Sequence, residues 1–183
     1  IFMTTAVVTG GLGFDVEKKG LVYGTYTAMV YLLALPGGWI ADRFIGQRKA
    51  VMVGGIGIAI GNTLLALPID EAFYPGLAVI AIGTGFLKPN VSTLVGQLYK
   101  PGDIRRDAGF TIYYMGINIG AGLAPLVGMF IAQSETFRGF LEGNGINPNL
   151  CWKFAFAVPA LGMVFGLVQY ARGSKVLGET GQH

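Results

Sequence analysis

The sequence predicts an all-α membrane protein, on three observations. Hydrophobic residues fill 52% of the 183 positions and charged residues only 13%, about half the charged share of a soluble domain. Mean hydropathy is +0.57. The apolar residues also gather into runs of about 20, the length at which a helix rising about 1.5 Å per residue crosses a hydrocarbon core about 30 Å thick. The 30 glycines sit inside those runs and prolines number only 8, so this is not the composition of a disordered chain.

In order, the runs cover about 1–13, 20–41, 50–67, 73–98, 108–132 and 152–171. The first opens on Ile1 in sequence that is already apolar and is too short to span. It is expected to be the last turns of a helix, truncated within a longer parent chain. The other five are expected to be complete spans, with 173–183 as the start of a linker. Polar segments separate them, the longest being Gln133–Asn149, which exceeds the usual connection and is given no function.

Alternate segments face opposite sides. One side collects Arg43, Arg48, Lys49, Lys100, Arg105, Arg106, Arg172 and Lys175, and the other Lys18, Lys19, Arg138 and Lys153. The positive-inside rule makes the richer side cytoplasmic, so the chain should end in the cytoplasm. The compact loops suggest a bacterial inner membrane.

Several function classes drop out. A net charge of +3, dispersed along the chain, gives no nucleic-acid surface. One cysteine and one histidine leave no set for a metal, a disulfide framework or a Cys/His dyad. An enzyme inside the membrane would show paired acids or a nucleophile with its base, yet the one ionisable residue deep in a run is Lys88. Neither an enzyme nor a resident cofactor is expected. A channel would want charged rings or filter loops, and a scaffold has no need of a lysine at that depth.

An ammonium near the bilayer centre costs at least about 2.5–3.5 kcal/mol, so it marks a pathway by default and needs a partner or water. Lys88 lies eleven residues from the cytoplasmic end of its run near Tyr99, and Asn118 ten residues into the next run from Ala108. Both are therefore expected roughly 15 Å deep. Tyr31 lies near the middle of the 20–41 run, and Tyr114 precedes Asn118 by one turn. Pro89 removes a backbone donor and should kink its helix and free a carbonyl at membrane depth, where transporters hold cargo. Glycines four apart (Gly57 and Gly61, Gly116 and Gly120, Gly162 and Gly166) are expected to let helices approach closely.

The segment Gly37-Gly38-Trp39-Ile40-Ala41-Asp42-Arg43-Phe44-Ile45-Gly46-Gln47-Arg48-Lys49 joins two spans. Asp42 is placed to cap the next helix or pair with a base, and Gly38 and Gly46 to permit close contact and a sharp turn. Its Gly-x-x-Ala-Asp-Arg-x-x-Gly-x-Arg-Lys spacing resembles the loop between the second and third helices of major facilitator transporters. The resemblance implies a conformational latch built on Gly38, Asp42, Arg43, Gly46 and Arg48.

Two further stretches, Gly83-Thr-Gly-Phe-Leu-Lys88-Pro-Asn90-Val-Ser-Thr-Leu-Val-Gly and Arg106-Asp-Ala-Gly-Phe-Thr-Ile-Tyr-Tyr114-Met-Gly-Ile-Asn118-Ile-Gly, look like the proton-dependent oligopeptide transporter family. The resemblance runs from the end of that family's first helix through its sixth. It implies a partial major facilitator fold: the N-terminal bundle over 1–172, without the C-terminal bundle of the same parent chain. It also implies a symporter that imports di- and tripeptides, with the proton as coupling ion and the bilayer as surroundings. Members with nitrate or another small organic anion as cargo are the alternative.

By the resemblance, Lys88 matches the fourth-helix lysine that couples to protons and engages the substrate carboxylate or a first-helix carboxylate. Asn118 matches the fifth-helix asparagine that contacts the peptide backbone, and Tyr114 the aromatic one turn before it. Tyr31 matches the second-helix tyrosine near the peptide carboxylate, with Tyr26 as the alternative. The family's Glu-x-x-Glu-Arg at the start of helix 1 has no counterpart in these residues, which leaves Lys88 without its expected acidic partner.

Overall fold

Asp15 opens the first long helix. Its carboxylate accepts the Lys18 backbone N–H at 2.6 Å, which satisfies one of the donors that a helix start leaves unpaired. The computed structural model describes residues 2–100, 102–178 and 180–181. Ile1, and Glu179, Gln182 and His183 of the expected linker, lie outside them. Helix α1 spans Val16–Ile40 and runs on into a π-helical turn, Ala41–Ile45. Gly46, at φ +78°, ends it, a backbone state that a residue with a side chain adopts only with strain. Helix α2 covers Gln47–Ala66, α3 Phe73–Gln97, α4 Arg105–Gln133, α5 Glu135–Gly143 and α6 Cys151–Gly173, followed by a 3-10 turn at Ser174–Leu177. Five of them, all but α5, are long and apolar enough to cross a membrane. Ahead of α4, hydrogen bonds from the Arg105 side chain and backbone hold the Asp103 carboxyl below the usual carboxylate range.

Helix α3 is the hub, packed on α2 and α1, while α6 lies against α2 and α4 rests mainly on α6 with a light contact on α3. The α2–α3 crossing is lined by glycine. A Cβ on Gly83 would stand 2.6 Å from the Gly54 carbonyl oxygen and 2.8 Å from Ile58 N. One on Gly61 would stand 2.7 Å from the Gly76 carbonyl oxygen. Lipid gives helices no hydrophobic drive to associate, so such close backbone approach supplies the van der Waals contact instead.

Three sequence expectations change here. Residues of the expected 1–13 helix form two 3-10 turns, Phe2–Thr4 and Val7–Thr9. Gly10 at φ +83° and Gly13 at φ +63° turn the chain back, so that the N–H groups of Leu12, Gly13 and Phe14 donate to the carbonyls of Phe2, Thr5 and Met3. The apolar side chains serve as a plug: the Phe2 ring packs 5.4 Å from Trp152 and 5.0 Å from Phe156, centroid to centroid. The polar stretch 133–149 is not all loop. It holds α5, started by Ser134, whose hydroxyl accepts the Phe137 N–H, and anchored by Leu141, which is 1% exposed. Of the glycine pairs, Gly57 and Gly61 do face α3, whereas a Cβ on Gly116, Gly120, Gly162 or Gly166 would meet nothing within 4 Å among the described residues.

Beneath α5, Cys151 is fully buried and its thiol donates to the Ala132 carbonyl at 3.1 Å. A buried thiol is poorly reactive. Maleimide is therefore expected to label Cys151 only after denaturation, as read by mass spectrometry; equal labelling rates in folded and denatured protein would contradict this burial.

Candidate functional site

Lys88 and Tyr31 come from different helices, and the structure brings them together. The Lys88 Nζ lies 4.7 Å from the centre of the Tyr31 ring, within range of a cation–π contact. Both residues are exposed, so the pair stands on an open flank of α1 and α3. A ring face is worth about 0.5–2 kcal/mol to a cation, less than the cost of holding that cation in hydrocarbon. This flank therefore calls for water or a second, anionic partner.

Tyr114 and Asn118 lie one turn apart on α4. With Phe110, Thr111, Met115 and Ile119 they line an open depression along α4. The Tyr114 ring lies 6.4 Å from Phe110 and 5.3 Å from Tyr113. The helix ends also shift the depth count. Lys88 is nine residues from the end of α3 and Asn118 thirteen from the start of α4, or roughly 14 and 20 Å of rise. They differ by about one turn. A contact between the Ser92 hydroxyl and the Tyr113 hydroxyl, 3.3 Å, ties α3 to α4 nearby. Tyr26, the alternative to Tyr31, is half-buried and lines an apolar cleft between α1 and α3 with Met29, Leu77 and Ala81.

Pro89 does not break its helix. Helix α3 continues through it, and the carbonyl left without its i+4 donor belongs to Gly85. That carbonyl lies directly over the α-carbon of Gly37, where a Cβ would overlap it. Asn90, next in sequence, is 1% exposed. Its amide nitrogen donates to the Phe86 carbonyl at 2.7 Å and lies 3.4 Å from the Gly37 carbonyl. Sequence reasoning passed over this residue; a buried amide one position after a proline in an apolar helix is the signal that would have found it.

In the loop motif, Asp42 does not cap α2 and makes no ion pair among the described residues. It lies in the π-helical turn ahead of α2 and accepts from the Gln47 side-chain amide at 2.8 Å. The Arg43 guanidinium lies 5.9 Å from the centre of the Trp39 ring, and a Cβ on Gly38 would make ordinary contact with Pro89. Arg48 is gripped from three directions. Its backbone N–H donates to the Gly181 carbonyl at 3.2 Å, its guanidinium donates to the Ser174 carbonyl, and its own carbonyl accepts from the Tyr170 hydroxyl at 3.4 Å. Among the described residues there is no group of three or more His, Cys, Asp or Glu able to hold a metal.

A di-/tripeptide transporter of Lactobacillus helveticus is 43% identical over 175 residues, 95% of this chain and 34% of its own. A crystal structure of a peptide transporter POT variant in complex with alafosfalin superposes with a TM-score of 0.87 at 42% identity, covering all of this chain and 35% of the other. A POT family transporter crystallised with a thioalcohol-conjugated peptide gives 0.83 at 35% identity, covering 98% of this chain and 34% of that one. The chain thus spans about a third of the length of the relatives it matches. The model of the POT family matches residues 48–182, which include Lys88, Asn118 and the end of the loop motif, and the chain belongs to that family.

Proposed function

We propose that the whole protein is a proton-coupled symporter that imports di- and tripeptides by alternating access, and that these residues supply one wall of its cargo site. The observation that carries this reading is the Lys88 ammonium held over the Tyr31 ring on an open flank of two spanning helices. The ring holds the cation while it waits, and a carboxylate outcompetes the ring when one arrives, because charge-assisted pairing is the stronger interaction. Every peptide brings one carboxylate, so a fixed cation accepts varied cargo without reading its side chains. The Asn118 amide, with the Tyr114 ring beside it, is suited to the peptide backbone, and the named relatives and their bound peptides support that cargo class.

In this reading Lys88 also serves the proton: it alternates between the cargo carboxylate and an acidic side chain, and protonation of that acid frees the ammonium. Gly38, Asp42, Arg43, Gly46 and Arg48 form the latch loop on the cytoplasmic face of a bacterial inner membrane. A second bundle of the same parent chain closes the site from the other side, since alternating access needs one bundle to rock against another.

Counterflow of labelled dialanine into proteoliposomes containing the whole protein tests the reading. Exchange is expected with unlabelled di- and tripeptides and not with free alanine; exchange with no dipeptide would defeat it.

A further inference from the structure

Pro36 in α1 and Pro89 in α3 stand close to the point where the two helices meet. A proline costs its helix one hydrogen bond and loosens it there, so two weakened helices cross near Lys88. The crossing is nonetheless tight. A Cβ on Gly85 would stand 2.7 Å from the Leu33 Cβ and 2.8 Å from the Leu33 carbonyl oxygen, and the Gly85 carbonyl lies on Gly37. Backbone meets backbone, with one polar side chain, Asn90, buried at the joint.

We infer that Asn90 is a positioning residue for the transport reaction: its amide staples α3 to α1 across the Pro89 joint and so holds the Lys88 ammonium against Tyr31. This rests on the dipeptide-transport reading. The amide reaches the Phe86 carbonyl on its own helix and the Gly37 carbonyl on α1, and Gly37 already accepts from the Ala41 N–H. The staple therefore fills the carbonyl's second lone pair at the residue that follows Pro36. Lys88 precedes Asn90 by two residues on α3, and the ring facing its ammonium belongs to α1, the helix that the amide grips. A slip of either helix moves the cation relative to the ring. An asparagine needed only to satisfy itself would stop at Phe86, one turn back on its own helix.

The two roles separate by substitution in the whole transporter. In Asn90→Ser and Asn90→Thr the hydroxyl still bonds the carbonyl four residues back, as such residues do in helices, but is too short for Gly37. Asn90→Gln keeps an amide. We expect Asn90→Ser and Asn90→Thr to insert and still to exchange dialanine in counterflow, with a raised KM because Lys88 also meets the cargo carboxylate, while proton-driven uptake falls about tenfold to a hundredfold, the scale of an ångström-sized misplacement. Its pH profile should move as well. Asn90→Gln should recover part of the uptake.

Wild-type uptake and pH profile in Asn90→Ser would overturn the staple while leaving the transport reading intact. Failure of both hydroxyl variants to fold would make Asn90 a support of the fold rather than of the ammonium, and would also overturn the proposal. Absence of dipeptide exchange by the wild-type protein would remove both.

Discussion

Lys88→Ala is expected to abolish proton-driven dipeptide uptake by the whole transporter while leaving it folded and inserted. The side chain is exposed and its recorded partner is one aromatic ring, so truncation opens no cavity and leaves no buried polar group unpaired. Stability should change by less than about 0.5 kcal/mol, as for a surface substitution away from packed features, or should rise, since an ammonium is expensive in a membrane. Transport should respond quite differently, because in the proposed reading both the cargo carboxylate and the proton act on this ammonium, and among the described residues no other cation lies along the middle of these spans. Uptake of labelled dialanine under an imposed pH gradient, normalised to the amount of folded protein by size-exclusion chromatography, checks both halves. Wild-type uptake would remove Lys88 from the mechanism. Lys88→Arg is a stricter comparison: the charge stays, but a planar guanidinium stays protonated at any pH that proteins experience. It is expected to leave coupling lost.

Gly83→Ala is expected to cost more stability than any single change on the open flank. The added methyl group meets the Gly54 carbonyl oxygen at 2.6 Å and Ile58 N at 2.8 Å, and both obstacles are backbone, with no rotamer to turn aside. The helices must separate, and with them goes the contact at Gly61 and Gly76 on the same crossing. Overpacking costs about 1–3 kcal/mol in typical cores, and the upper end applies where backbone meets backbone. Gly24→Ala is the control, since its methyl group would meet nothing within 4 Å and alanine favours the helix by about 0.5–1 kcal/mol. Thermal unfolding in detergent should show Gly83→Ala well below the wild type and Gly24→Ala at or above it. A Gly83→Ala protein with unchanged Tm would mean that the α2–α3 crossing is looser than described.

The five long helices were legible because run length alone decides the matter in a bilayer. The same criterion failed over residues 2–14, where apolar content does not separate a helix from a folded-back plug; Gly10 and Gly13, at positive φ, carried that information. It failed again at α5, which is too short and too polar to register as a span, and which packs through buried Leu141 and through the Phe137 ring against Phe154. Counting residues along spans put Lys88 and Tyr31 at similar levels, and they do touch. It put Asn118 there too, but the helix bounds set Asn118 about one turn deeper than Lys88, because α4 begins at Arg105 and α3 ends at Gln97. Asn90 was hidden for another reason. Its partner is a carbonyl 53 positions away, and backbone acceptors leave no trace in a sequence.

The grip on Arg48 has a mechanical side. The first turn of α2 is bonded to Ser174 and Gly181, beyond the end of α6, which ties that segment back to α2. Ser174 and Gly181 therefore share one anchor on α2, and a shift of α2 relative to α6 has to stretch or break the bonds that Arg48 makes to them.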